Sequence, residues 1–207
     1  MTTTQLEVNL VPAPAARLLP RLLSDTRYAL TGLPLAVASV IVAVTPFAAG
    51  LGLAVVWIGV PLLIFAMAVA RRFADLERAR IATVLGTAVR RPAYPTTIKA
   101  RLTHPQSWRD VAHALLRWIP STIAFVLTAT WWSAMLGSLT WGAWGWSLPD
   151  GPGNHELPEL LGITDSYGGI VLFYLALSVV FAITLPAVVR GAAVLEARFG
   201  RALLIRA

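Results

Sequence analysis

One short segment holds the densest set of titratable and metal-ligating side chains in the chain: Asp150, His155, Glu156, Glu159 and Asp165. Carboxylates are hard oxygen ligands, and beside one imidazole they could hold a divalent cation or titrate with external pH. The same acids are also what a segment carries when arginine and lysine are excluded from it. The five therefore form a candidate sensing loop, with a specific ion site as its sharper version. A second set, Trp108, Arg109, Arg117, Arg198 and Phe199, combines aromatic and cationic side chains and forms a candidate cytoplasmic interface. Other chemistry is missing. The sequence has no phosphate-binding loop, no H-E-x-x-H, no G-x-S-x-G and no G-x-G-x-x-G after a strand. With no cysteine it has no disulfide, thiolate metal site or palmitoylation site. No acid–base set converges, so the expectation is a non-enzyme without a cofactor.

The elements that position these residues follow from composition. The 207 residues are 57% hydrophobic and 13% charged, against roughly 25% charged in a soluble domain. Mean hydropathy is +0.70. Three tracts lack Asp, Glu, Lys, Arg and His altogether: Tyr28–Ala70, Trp118–Pro149 and Ser166–Val189. About 18 apolar residues are enough to read as a membrane span. The first tract, 43 residues long, would reach roughly 65 Å as one helix, twice the hydrocarbon core. Two spans with a reversal at Gly50-Leu51-Gly52 fit better, since glycine tolerates a left-handed turn.

The expectation is an all-α polytopic membrane protein, a single unit over 1–207. It has kinked spans at 28–48, 51–70, 118–138 and 169–189, with cytoplasmic interfacial amphipathic helices. Prolines 34, 46, 61, 120 and 186 supply the kinks. All 17 Lys and Arg lie before span one, between spans two and three, or after span four, and none lies between spans three and four. Basic residues near span ends stay in the cytoplasm. Residues 1–27, 71–117 and 190–207 are thus expected inside the cell membrane, and 139–168 outside. The net charge of +7 then belongs to span flanks and anionic inner-leaflet lipids, not to nucleic acid. No cleavable signal sequence is expected, because the first apolar tract is far longer than a signal core. The spans also lack the midplane ionisable groups of ion-coupled transporters.

Local patterns refine the cytoplasmic parts. Arg71 to Gly86 reads as helix two continuing inward, with charge pairs Arg71–Asp75, Asp75–Arg78 and Glu77–Arg80, and Gly86 as its stop. Arg90 to Pro95 reads as an extended connector. Ser107 and Asp110 form an S-x-x-D helix start. From there Trp108, Val111, Ala112, Leu115 and Ile119 share one face, and Arg109, His113 and Arg117 another. The apolar face is expected in lipid or against helix two's extension. Leu195, Phe199 and Leu203 make the tail amphipathic too, and Trp131, Trp132 and the Trp141–Trp146 cluster suit the outer aromatic belt.

The blocks "RYALTGLPLAV", "GLGLAVVWIGVPLL", "RRFADLERARIATVLG" and "SWRDVAHALLRWIPSTIAFVL", in that order, resemble the actinobacterial "putative sensor" domain of membrane histidine kinases, over about residues 25 to 200. The resemblance implies a four-helix membrane module that passes a signal to a cytoplasmic output. These residues contain no phosphoacceptor helix or ATP-binding domain, so kinase activity is not carried over. Output is expected through a protein partner (kinase, regulator or transporter subunit) or through a homo-oligomer. The competing expectation is an accessory membrane subunit of a transport or export complex.

Overall fold

A computed structural model describes residues 18–54, 57–86, 92, 94, 97–148 and 155–204, leaving the side chains of Ile98 and Arg101 undescribed. Among the described residues every regular element is helical. The helices are α1 (Leu18–Ser39), α2 (Thr45–Gly52), α3 (Gly59–Leu85), α4 (Ile98–Thr103), α5 (Pro105–Leu116), α6 (Trp118–Trp144), α7 (Leu157–Leu160) and α8 (Tyr167–Leu204). The five residues Val40–Val44 join α1 to α2 as a π-helical stretch. Pro46, which has no N–H to give, follows directly, and a π segment is one way a helix accommodates a missing bond.

Among the described residues three continuous helices are long and apolar enough to cross a membrane: Leu18–Gly52, Pro105–Ser147 and Tyr167–Leu204. α3 is not among them. Its apolar stretch before Arg71 is short, and Arg71, Arg72 and Asp75 bring charge into its middle. The chain reverses between the end of α2 at Gly52 and the start of α3 at Gly59, later than expected. The left-handed residue there is Trp57, at φ 62°, while Gly50 and Gly52 are helical. The glycines serve packing: a Cβ on Gly59 would collide with the Gly50 carbonyl oxygen, so bare backbones bring α2 and α3 together. Gly86 does end α3, at φ 64° with its N–H on the Ala82 carbonyl at 3.0 Å.

Registers fix the relative directions of the helices. α8 runs antiparallel to α5–α6, with Trp141 on Tyr174, Trp131 on Thr184, Ala124 on Ala192 and Ser121 on Glu196. α1 runs parallel to α8: Asp25 meets Arg190, Ala29 meets Ala192 and Gly32 meets Glu196. α1 is therefore antiparallel to α6, and Trp132 reaches back to Thr26 at 3.1 Å. The expectation of spans one and three both leaving the cytoplasm requires those helices to be parallel. In this conformation the four expected spans do not lie side by side. The α2–α3 tip and the tryptophan-rich end of α6–α8 point in opposite directions from a shared middle. What holds them so is charge: the partners of Asp25, Glu77, Arg78 and Arg117 all lie in that middle.

Candidate functional site

The middle of the molecule buries a polar network between α1, α3, α5, α6 and α8. Glu77, only 2% exposed, is its hub. Its carboxylate accepts from the Tyr28 hydroxyl at 2.7 Å, from Arg80 at 2.8 Å and from Arg117 at 2.9 Å. Arg80 also donates to the Tyr28 carbonyl at 2.7 Å and lies over the Tyr28 ring. Arg78, the residue after Glu77, bridges Asp75 and Asp110, both at 2.7 Å. Asp110 is fully buried and also accepts from Gln106 and the Tyr94 hydroxyl. Gln106 in turn donates to the last described turn of α8, at the Leu204 carbonyl. Arg190 ties Asp25 of α1 and the Val84 carbonyl of α3 to α8. Charges taken out of water must be paired, and here they are paired across helices.

Burial drives the Glu77 carboxyl upward, but Arg117, Arg80 and the Tyr28 hydroxyl outweigh it and hold the acid below its ordinary range. His113 lies against Gly200 of α8 with its Nδ1 unpartnered. Burial first, and then the Arg117 charge, push its imidazole down to about 3, so it is neutral at physiological pH. Burial pushes Glu196 up to about 7 against the Ser121 hydrogen bond, with Glu77 adding to the rise and Arg80 and Arg117 opposing it. These groups all lie outside the three charge-free tracts.

This arrangement corrects the expected polar face of α5 at His113 and Arg117. Asp110, His113 and Arg117 turn inward, while Trp108, Leu115 and Ile119 are exposed. Arg117 is thus a core group, 2% exposed, and not part of a docking surface. Trp108 packs edge-on to Phe47 and donates to the Leu102 carbonyl at 2.8 Å. Arg109 is half-buried, Arg198 exposed and Phe199 half-buried, so the structure does not gather the five interface candidates into one patch. The tail behaves like α5: Leu195 is exposed, and α8 buries Ala192, Ala193, Glu196, Ala197 and Gly200 instead. Ser107 does not cap α5. The helix begins at Pro105, and His104 Nδ1 accepts from the Gln106 N–H at 3.2 Å.

At the opposite end, His155, Glu156, Glu159 and Asp165 line one open cavity of about 760 Å³ with Trp141, Trp146, Tyr167 and Tyr174. Asp150 lies outside the described residues. Glu156 and Glu159 cap α7 reciprocally, and His155 stands 3.7 Å from Glu159. Among the described residues no three His, Asp or Glu side chains converge as a metal site. Trp141 and Tyr174 pack at 4.4 Å, and the Tyr167 hydroxyl donates to the Gly142 carbonyl at 2.9 Å, so α6 and α8 build this cavity as well as the charged middle.

A protein family described as "Putative sensor" matches residues 28–204, which include the outer cavity and all of the charged middle named above except Asp25. The chain belongs to that family. The family is not described as one of enzymes. No curated protein and no solved structure matches this member. Of the buried network, the pairs within α3 were readable from sequence, at spacings of three and four. The long-range partners Tyr28, Asp110, Arg117, Ser121 and Glu196 were not singled out together. Their one available signal was acidic residues placed among small residues, as in Ala193–Gly200.

Proposed function

We propose that the chain is a non-enzymatic sensor or regulatory protein of the cell membrane that passes an envelope or extracellular signal to a cytoplasmic or membrane partner. The carrying observation is that α8 is one helix from the outer cavity, at Tyr167 and Tyr174, to the charged middle, at Glu196. Twenty-nine residues of helix span about 44 Å. A small rotation or tilt imposed at the cavity is delivered to ion pairs that have discrete partners, the kind of element that has two arrangements. The second reading, an accessory subunit of a transport or export complex, rests on the same exposed apolar helices. Hydrogen exchange separates signal passage from mere support. In lipid nanodiscs, Tyr174→Ala should raise exchange of the amides at 192–204 at least several-fold. A change confined to 167–178 would leave α8 without a transmitting role.

The same reading is multi-pass, with the charged middle and both termini on the cytoplasmic side, supported by the arginine distribution. Impermeant thiol labelling of intact cells should mark Asn154→Cys and spare Thr3→Cys. The reverse pattern overturns the topology, and Gly52→Cys reports on which side the hairpin tip lies.

A further inference from the structure

Among the described residues, Glu196 is the one member of the buried network whose carboxylate has no cation of its own. It is 3% exposed, on α8 beyond Arg190. One oxygen accepts from the Ser121 hydroxyl at 2.6 Å, and the other, also buried, has no partner. The carboxyl lies flat on α1 where Gly32 leaves room, and any Cβ there would strike it. The groups around it are accounted for element by element. α1 offers the neutral Tyr28 hydroxyl, already given to Glu77, and Asp25, paired with Arg190. α3 offers Glu77, which takes up Arg80, and Arg78, which is held by Asp75 and Asp110. α5 offers Asp110 and the neutral His113, and the α5–α6 junction offers Arg117, whose Nη2 is on Glu77 and whose Nε and Nη1 lack acceptors.

We infer that Glu196 is a reversible proton-binding site that clamps the inner half of α8 to α1 and α6 when protonated and loosens it when ionised. Protonated, the carboxyl is neutral and sits between a hydroxyl and bare backbone at little cost. Ionised, it is a second buried anion one helix away from Glu77. It then must draw Arg117 from Glu77 or admit water, and either route opens the α1–α6–α8 junction. The ligand is the proton, and on the topology proposed above it comes from the cytoplasm. The site itself holds whether or not the chain is a sensor.

The acid's folded-state pKa lies near 7, above its unfolded value of 4.5, and this fixes the sign. Its stabilising contribution is complete below 4.5 and is lost as pH rises toward 7. His113, depressed from 6.5, acts oppositely, with stability lost as pH falls below 6.5, and it is common to the parent and a Glu196 variant. The test uses the full chain in lipid nanodiscs, titrated by infrared spectroscopy. A carboxylic-acid carbonyl band should disappear with a midpoint near 7, and it should be missing in Glu196→Gln. Ser121→Ala, which removes the donor to the carboxylate, should move the midpoint higher. Exchange of amides 192–204 should be several-fold faster above the midpoint than below it in the parent, with no such step in Glu196→Gln. A band that persists in Glu196→Gln, or a midpoint in the ordinary glutamate range, overturns the site. A Ser121→Ala midpoint equal to the parent's does so even if the Gln variant fails to fold. Equal exchange on both sides of the midpoint overturns the clamp.

Discussion

The charged middle and the acidic outer end hold similar residue types under opposite conditions. In the middle, Glu77, Arg78, Asp110 and Arg117 are buried and each contacts a partner on another helix at hydrogen-bonding distance. At the outer end, His155 and Glu159 face an open cavity with a 3.7 Å separation, and the imidazole is well exposed. Water screens the second pair, so it can change partner at low cost. The first set cannot change without leaving a charge stranded. The difference separates a region able to admit varied external chemistry from one able to hold only a few arrangements.

The sharpest test of that contrast is Arg117→Ala. It strips a buried cation from Glu77 and should cost about 3–5 kcal/mol in reversible unfolding of the detergent-solubilised chain. The double variant Arg117→Met with Glu77→Gln should regain most of that loss, because the stranded charge is gone. Full loss in the double variant would mean that the network is held by packing and not by pairing. At the small end, Glu159→Gln should change stability by less than about 0.5 kcal/mol in the same measurement. A cost above 1 kcal/mol would make the outer end a built site like the middle, and the contrast would collapse.

Sequence revealed what depends on local spacing. The charge-free tracts, the pairs Asp75–Arg78 and Glu77–Arg80 and the stop at Gly86 are all observed. Direction was not legible, because a charge-free tract states that a helix is apolar and not which neighbour it runs beside. The capping box failed for a similar reason. Ser-x-x-Asp marks a start only if the Asp side chain turns back to its own helix, and Asp110 is taken by Arg78 from 32 residues away. Pro105, a residue favoured in the first turn, was the better local signal. On α5 the spacing of Arg109, His113 and Arg117 reads as a polar face, and only a charged partner on another helix turns Arg117 inward, while Trp108, Leu115 and Ile119 are exposed. The middle combines that charge with buried apolar residues such as Ile81, Val111 and Leu204.

Where α1, α6 and α8 cross, the contact is made by three methyl groups, those of Ala29, Ala124 and Ala192. Such a contact brings backbones close but interlocks very little, since alanine has no side chain long enough to seat in a neighbour's groove. A joint of this kind resists separation better than it resists sliding. What keeps these helices in register must therefore be the polar latches a turn away on either side, Asp25–Arg190 and Ser121–Glu196. The junction works mechanically as a smooth bearing between two catches. Releasing one catch shifts the axles without the expense of repacking a core.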